Sequence, residues 1–280
     1  MTGEAHWGAW SHAQPEAATA PALLDPDEAS AFAMVNPEGR ANALLVCDHA
    51  SNRVPRRLAG LGLTGDLLQR HIAWDPGAAA VARGLAVRLD APLILGGYSR
   101  LAIDLNRPLA SPELIPEQSD GVSIPGNLGL TAAERSARIA GLFLPYHRAI
   151  ARWLDAHPDP GLRLISLHSF TPTLAGLSRP WPVGLAYGRD ARLAGLLRQA
   201  LARHGDLLIG DNQPYAIEDE YDFTLPTHGE RRGIAHVMIE IRQDGIAAPA
   251  QVAAWVERLA QAYEGVGKAS RGGGELGLAG

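Results

Sequence analysis

The sequence is poor in cysteine and has no excess of basic residues. Cys47 is the only cysteine among 280 residues, which excludes an intrachain disulfide and a cysteine-rich zinc site. Its position within an apolar run indicates a buried structural thiol rather than a nucleophile. The net charge of -5 and the pI near 6.0 provide no basic patch, so we expect no nucleic-acid partner.

Long apolar segments and phosphate-binding glycine motifs are also missing. No uncharged apolar run reaches the roughly 18 residues of a membrane span, so we expect no membrane partner. The amino-terminal residues lack a basic stretch followed by an apolar one, which predicts no signal peptide and a cytoplasmic location. The sequence contains neither a GxGxxG motif nor a P-loop.

What the sequence does contain is an alternation of apolar runs of strand length with amphipathic helical segments. This alternation predicts an α/β sandwich with a largely parallel sheet. We find no internal repeat and no break in composition, so we predict a single domain over residues 36–264. Residues 1–35 are predicted to be a loose leader, and the Gly-rich residues 265–280 are predicted to be a flexible tail.

Three local patterns predict particular elements. Thr131 followed by Glu134 fits a capping box, which predicts the start of a long helix that ends near His157. Residues 99–108 are predicted to form a short and densely polar strand. Residues 211–233 are predicted to be a long polar loop, and loops of that length in compact domains are usually functional.

Two apolar runs end in histidine. Residues 43–47 read as a buried strand that leads to His49, and residues 162–167 read as another that leads to His168. Ligands of open α/β sheets bind beyond the carboxyl ends of strands, so the two histidines are expected to converge on one metal ion. The alternative is that each histidine satisfies a hydrogen bond in its own loop.

A catalytic zinc ion typically has three N or O ligands from the protein and one open position. Asn52 has a suitable spacing, three residues after His49, but its neutral amide is a poor zinc ligand. Asp75 offers an ionised carboxylate on a sharp turn. The residues alone leave the third ligand open between Asn52 and Asp75.

A third apolar run, residues 234–242, carries Glu240 where a core strand should carry no charge. Burying an isolated carboxylate is unfavourable unless it is paired or neutralised. Arg242 lies on the same face of a strand, so a local ion pair is one interpretation. The other is that Glu240 transfers protons beside the metal in a hydrolytic reaction.

Polar residues also crowd into the segment that contains Arg100, Asp104, Asn106 and Arg107. A guanidinium binds a carboxylate through two hydrogen bonds and asparagine adds a donor, so this segment suits a substrate that carries a carboxylate. An ordinary solvated edge with salt bridges is the alternative. The loop that leads to His228 is a further source of substrate contacts.

Taken together, these residues resemble the N-formylglutamate amidohydrolases. The resemblance covers roughly residues 40 to 262 and rests on the following motifs: Asp48-His-Ala-Ser-Asn52, His71-Ile-Ala-Trp-Asp75, Tyr98 to Pro108, Leu167-His-Ser169, and His228-Gly with Glu240-Ile-Arg242. The chain is more distantly similar to zinc carboxypeptidases. That similarity implies a three-layer α/β/α sandwich around a mixed, largely parallel sheet.

The resemblance also implies roles for individual residues. Zinc, or another divalent metal, would be held at one site per chain by His49, Asp75 and His168, and Glu240 would be the general base. Asn52 stands where the carboxypeptidase motif His-x-x-Glu has its glutamate, and Asp75 is preferred because it looks like a position shared with the formylglutamate enzymes. Residues expected to bind the substrate are Arg100, Asn106, Arg107, Asn52 and His228.

The function that the resemblance implies is metal-dependent hydrolysis of the amide bond of a small N-acyl amino acid, such as N-formylglutamate. The expected partner is therefore a small molecule that carries a carboxylate. The alternative is a non-catalytic small-molecule binding protein on the same fold, in which the two histidines no longer hold a metal.

Overall fold

The computed structural model describes residues 22–203 and 205–272. A seven-stranded sheet forms its centre, with the strand order β1-β3-β2-β6-β11-β9-β10. Two short hairpins, β4–β5 and β7–β8, lie outside it. The strands are β1 (Phe32–Val35), β2 (Ala43–Cys47), β3 (Leu93–Gly96), β4 (Gln118–Ser119), β5 (Val122–Ser123), β6 (Arg163–Phe170), β7 (Thr173–Leu174), β8 (Leu177–Ser178), β9 (Val183–Ala186), β10 (Ile209–Asp211) and β11 (Ala235–Arg242).

Within the described residues, six α-helical segments accompany the sheet. They are α1 (Ala78–Leu89), α2 (Ala132–Arg138), α3 (Leu144–Ala156), α4 (Arg192–Ala202), α5 (Thr224–His228) and α6 (Pro249–Gly272). The Thr131 side chain accepts a hydrogen bond from the Glu134 backbone N–H while the Glu134 carboxylate accepts from the Thr131 backbone, so the predicted capping box is confirmed. A π-helical turn, Ile139–Phe143, joins α2 to α3, and together they form the long helix that the sequence predicts.

The strand directions confirm a mixed, largely parallel sheet. β3, β2, β6 and β11 run parallel as successive neighbours, whereas β1 and β9 are antiparallel to β3 and β11. Because the carboxyl ends of the four central strands meet at one edge, the side chains that follow them are brought together there.

Helices cover both faces of the sheet. Alternate residues point to opposite faces, so Leu45 packs with α1, α4 and α6 while Leu44 packs with the α3 side. All five residues of β2 are buried, as predicted for a strand covered on both faces. Truncating a core leucine such as Leu45 to alanine should destabilise the fold by about 2–5 kcal/mol. The three-layer α/β/α sandwich is therefore confirmed.

The folded region extends beyond both predicted boundaries. Strand β1 lies within the predicted leader, where its half-exposed side chains give no strand pattern; backbone pairing with β3 holds it in the sheet. Helix α6 runs into the predicted tail, anchored by the buried Val266. The predictions for residues 1–21 and 273–280 concern segments outside the described residues.

The predicted strand at residues 99–108 is wrong, because this segment is a series of turns. Its polar side chains bond to the adjacent backbone: Ser99 Oγ accepts from the Leu101 N–H at 3.1 Å, and Asp104 Oδ1 accepts from the Asn106 N–H at 2.9 Å. Such local bonds favour turns over a strand ladder. In the described part of the chain, no helix has the length and apolarity needed to cross a bilayer.

Candidate active site

The candidate site lies at the carboxyl edge of the central strands. His49 follows β2 by two residues, His168 lies near the end of β6, and Asp75 lies on the turn just before α1. In the sheet register Glu240 of β11 is directly opposite His168. Because paired residues of parallel strands point to the same face, the sheet itself places Glu240 beside the histidines.

The side chains of His49, Asp75 and His168 form a compact buried cluster. One candidate ligand atom from each residue lies within 4.8 Å of the other two. His168 Nδ1 is 2.9 Å from Asp75 Oδ2, and His49 Nδ1 is 3.5 Å from the same oxygen. The structure thus brings together the three residues predicted to bind a metal.

The Nε2 atom of each histidine, on the side of the ring away from Asp75, contacts a second carboxylate. His49 Nε2 is 2.7 Å from Asp104 Oδ1, and His168 Nε2 is 3.0 Å from Asp48 Oδ2. A carboxylate that accepts the Nε2 proton fixes the tautomer and leaves the Nδ1 lone pair for a metal. Both histidines therefore present Nδ1 toward Asp75.

Asp48 is itself held in place by three hydroxyl groups. Tyr146 and Thr224 each donate to its Oδ1 at 2.8 Å, and Ser166 donates to its Oδ2 at 3.3 Å. Burial opposes ionisation of Asp48, but the hydrogen bond from His168, the positive charges of His168 and His49 and the Thr224 hydrogen bond together outweigh it, so the pKa of this carboxyl lies below its usual value. Asp48 is thus an ionised anchor for His168.

The donor set fits a divalent metal. Two imidazole nitrogens and one carboxylate oxygen are typical zinc ligands. Moreover, His49 Nδ1 is buried without a hydrogen-bond partner among the described residues. Buried polar nitrogens are nearly always satisfied in folded proteins, and a metal bound at the cluster would satisfy this one.

Glu240 is buried, only 6% exposed, and its Oε2 has no hydrogen-bond partner in the described part of the structure. Burial, together with the nearby Asp75 carboxylate, raises its pKa to about 7, although His168 and Arg100 oppose the shift. The alternative ion pair with Arg242 does not form, because Arg242 Nε donates to Asp244 Oδ1 at 2.8 Å. Glu240 is therefore left available for proton transfer.

A cavity of about 1880 Å³ opens above this cluster. Its floor contains His49, Asp75, His168 and Glu240. Residues of the predicted functional loop 211–233, including Tyr215, contribute to its rim. The prediction of one continuous loop is wrong, because helix α5 and a 3-10 turn, Glu230–Arg232, lie within it. The part of the segment before α5 reaches the candidate site.

Comparisons with known proteins assign the chain to a family. The family model described as N-formylglutamate amidohydrolase matches residues 41–247. The chain belongs to the N-formylglutamate amidohydrolase family. Membership makes it a hydrolase that acts on amide bonds, which confirms the predicted resemblance.

Several solved structures are similar to this amidohydrolase, including the following two. Gene product Atu2144 from Agrobacterium tumefaciens is 37% identical with a TM-score of 0.84, over 90% of this chain and 100% of that chain. The N-formylglutamate amidohydrolase from Ralstonia eutropha JMP134 is 20% identical with a TM-score of 0.63, over 87% of this chain and 100% of that one, and shares its fold. No curated protein matches the chain significantly.

The residues predicted to bind substrate divide into two groups. Arg100, Asn106 and Arg107 line the cavity of the amidohydrolase, whereas Asn52 and His228 lie outside its lining. Asn52 Nδ2 donates to the Leu68 carbonyl at 3.0 Å, so its amide holds a loop together. His228 is fully buried with its Nε2 3.1 Å from His147 Nδ1. The structure thus places these two residues in internal contacts.

Among the cavity-lining candidates, Arg100 and Asn106 are engaged with protein groups. Arg100 Nη1 donates to Asp75 Oδ1 at 3.3 Å and its Nε donates to Asp104 Oδ2 at 3.2 Å. Asn106 Nδ2 donates to Asp222 Oδ1 at 2.8 Å. Arg100 therefore links the two carboxylates that contact His49, and Asn106 fixes the adjacent loop.

Arg107 is held less firmly. Its Nε donates to Glu113 Oε2 at 3.1 Å and its Nη1 donates to the Tyr221 carbonyl at 2.7 Å. The Glu113 side chain is 60% exposed, and exposed ion pairs contribute only about 0–1 kcal/mol. Arg107 can therefore exchange Glu113 for another carboxylate at little cost.

Sequence reasoning missed the residues that support the histidines. Asp48 and Asp104 lie within the motifs that carry the family resemblance. The available signal was that Asp48 directly precedes His49 and that Asp104 lies between Arg100 and Arg107. Tyr146 and Thr224 come from α3 and α5, far from the motifs in sequence. His71, four residues before Asp75, also lines the cavity, and its Nδ1 is 3.7 Å from Asp75 Oδ1.

Proposed function

We propose that this amidohydrolase hydrolyses the amide bond of a small N-acyl amino acid that carries a carboxylate, with N-formylglutamate as the first candidate. The proposal includes one divalent metal per chain, preferably zinc, bound by His49, Asp75 and His168. One observation carries it: in a member of this family, the unpaired Glu240 carboxylate lies beside a buried His-Asp-His cluster on the floor of a cavity.

The chain's own contribution to the metal site is a rigid set of donor atoms. Asp104 and Asp48 accept the Nε2 protons of the two histidines, which aims both Nδ1 atoms at the same point as the Asp75 carboxylate. When bound there, a zinc ion would act as a Lewis acid that polarises the acyl carbonyl and acidifies a water molecule. Asp75 offers an ionised oxygen, whereas the Asn52 amide is directed to Leu68.

Glu240 is the proton carrier in this proposal. As general base it takes a proton from the attacking water, and as general acid it returns that proton to the amide nitrogen when the C–N bond breaks. A carboxyl with a pKa of about 7 is populated in both its ionised and its protonated form near neutral pH, which suits a group that first accepts a proton and then donates it. Arg100, beside Asp75, supplies a fixed positive charge near the oxyanion that develops.

Arg107 is the proposed contact for the substrate carboxylate. Its guanidinium lines the cavity and its present carboxylate partner, Glu113, is exposed. A bound carboxylate would replace Glu113 through a stronger, better shielded hydrogen-bonded pair. The expected absence of nucleic-acid and membrane partners and the expected cytoplasmic location remain predictions of the sequence.

Turnover measured with and without metal tests the proposal. Protein stripped with a chelator and then reloaded with zinc should hydrolyse N-formylglutamate only in the reloaded form, with release of formate and glutamate in equal amounts. The matched control is the reloaded Glu240→Gln variant, which keeps the shape of the side chain. Binding of N-formylglutamate without any release of formate would instead favour the non-catalytic binding protein.

A further inference from the structure

Arg179 is a buried cation without an acidic partner. It is only 6% exposed, yet no carboxylate within the described ranges forms a salt bridge with it; its guanidinium contacts only neutral groups. Burying a charge away from water is unfavourable unless hydrogen bonds or an opposite charge compensate it. Arg179 therefore provides positive charge that a negatively charged ligand would complement.

The neutral contacts of Arg179 converge on Tyr215. Arg179 Nη2 donates to the Tyr215 hydroxyl at 2.7 Å, and Nη1 donates more weakly to Thr171 Oγ1 at 3.4 Å. The guanidinium carbon also lies 5.0 Å from the centre of the Tyr215 ring and 5.7 Å from that of Phe170. These aromatic faces and the hydrogen bond fix the orientation of both side chains.

Tyr215 connects Arg179 to the cavity through its hydroxyl group. Tyr215 lines the cavity and is 41% exposed. Because its oxygen accepts a hydrogen bond from Arg179, its own O–H proton is left to donate elsewhere. Burial raises the pKa of Tyr215, so the phenol keeps this proton at neutral pH. A hydroxyl polarised by a guanidinium is a strong donor to an anionic oxygen.

The location agrees with a role in substrate binding. Phe170, against which Arg179 packs, lies on β6 two residues beyond His168. The charges of Glu240 and Arg100 both influence the pKa of Tyr215, which shows that its hydroxyl lies within electrostatic reach of the site. The pair is thus at the same edge of the sheet as the proposed metal site.

The arginines that line the cavity differ from Arg179 in having acidic partners. Arg100 contacts Asp75 and Asp104, and Arg107 contacts Glu113. Such partners offset much of each positive charge. In the described part of the chain no carboxylate pairs with Arg179, and the Tyr215 hydroxyl connects its guanidinium to the cavity.

We propose that the Tyr215 hydroxyl, held and polarised by Arg179, is a specificity-determining donor to a carboxylate of the substrate, at a position separate from Arg107. Tyr215 contacts the ligand and Arg179 is the positioning residue. The inference rests on the proposed function in one respect, that the ligand is an N-acyl amino acid. A substrate with two carboxylates would then meet a separate contact for each.

Calorimetric binding measurements test the proposal without turnover. The zinc-loaded Glu240→Gln protein is titrated with N-formylglutamate and with its two mono-amides, which each lack one carboxylate. Adding Tyr215→Phe keeps the ring on Arg179 and removes only the hydroxyl. It should weaken binding of N-formylglutamate by about 10- to 100-fold, the range for a hydrogen bond to a charged group. For one of the two mono-amides the loss should disappear.

Arg179→Met tests the positioning role. It should weaken binding of the same ligands as Tyr215→Phe does. The double variant should bind no more weakly than the weaker-binding single variant, because Arg179 and Tyr215 act together as one contact. Arg179→Lys should recover part of the affinity. Tyr187→Phe is the matched control: it removes a hydroxyl that donates to Asp211 at 2.9 Å and does not line the cavity. It should leave binding unchanged.

The results separate this inference from the proposed function. The carboxylate contact would be overturned if Tyr215→Phe lowered the affinity for N-formylglutamate and for both mono-amides equally, or did not lower it at all. It would also be overturned if the zinc-loaded Glu240→Gln protein bound none of these ligands. If carboxylate-dependent binding is present but the protein with native Glu240 shows no turnover, hydrolysis is refuted while the Tyr215 contact stands.

Discussion

The floor and the rim of the cavity are built in different ways. On the floor, the buried His49 and His168 are fixed by neighbouring strands and by the Asp104 and Asp48 carboxylates, and the buried Asp75 is fixed by Arg100. On the rim, Arg107 and Tyr215 lie on loops, are partly exposed and contact groups that a ligand can replace or extend. The floor is therefore suited to fixed chemistry, and the rim is suited to the choice of substrate.

The largest effect is expected from removing a floor residue that would bind the metal. Asp75→Ala and His168→Ala should each lose most of the metal and nearly all activity, because three protein ligands are needed for tight binding. Elemental analysis after purification without chelator measures this, with about one metal per chain expected in the parent protein.

Asn52→Ala is the matched control for Asp75→Ala, since Asn52 is the other candidate third ligand and its amide donates to Leu68 instead. It should keep its metal. Loss of metal in Asn52→Ala with retention in Asp75→Ala would reverse the assignment. Equal and negligible metal in every protein, the parent included, would remove the metal-dependent mechanism.

The second largest effect is expected at Glu240. Glu240→Gln retains the shape of the side chain but removes the proton acceptor, so turnover should fall by roughly 10²–10⁴-fold, the usual contribution of general acid–base catalysis. Metal content should stay the same, because Glu240 lies beside the ligand set and is not part of it. Steady-state kinetics together with elemental analysis separate the two effects, and full activity in this variant would refute the proton-transfer role.

These two predictions concern the part of the site that was accessible from the sequence. His49 and His168 were predictable because strands buried on both faces give unbroken apolar runs, and their carboxyl ends meet at one edge of a parallel sheet. Glu240 was predictable because its charge interrupts such a run. The α/β sandwich and its largely parallel sheet followed from the alternation of strands and helices, whereas the three layers were implied by the resemblance to zinc carboxypeptidases.

The supporting contacts could not be predicted in the same way. Tyr146 and Thr224 reach Asp48 from separate helices, and a single sequence contains no signal for that meeting. Residues 99–108 were mistaken for a strand because the side chains that form their turns are the same polar groups that suggested a binding edge. Local sequence patterns do not reveal contacts that are set by tertiary packing.

An intermediate effect is expected at the carboxylates behind the histidines. Asp104→Asn keeps the size of the side chain but weakens the hold on His49 Nε2, 2.7 Å away. Loss of such a partner typically lowers metal affinity by about 10- to 100-fold. Competition with a chromophoric chelator measures the affinity. Asp155→Asn is the control, since Asp155 pairs with Arg232 at an exposed position, and this variant should leave metal affinity unaltered. An Asp104→Asn protein that binds metal as tightly as the parent protein would contradict the role of Asp104.

The smallest effect is expected on the rim, at Arg107. Arg107→Ala removes a cavity-lining guanidinium whose bond to the exposed Glu113 is weak. KM for N-formylglutamate should rise by about 10-fold, the scale of one hydrogen bond to a charged group, while kcat changes little, since this contact exists equally in the ground and transition states. The rise in KM should vanish for the mono-amide that lacks the carboxylate bound by Arg107.

Glu113→Gln sharpens the test, because weakening the bond between Arg107 and its present partner should leave KM equal or lower. A fall in kcat at constant KM in Arg107→Ala would instead place Arg107 in the chemistry of the floor and remove the distinction between the two regions.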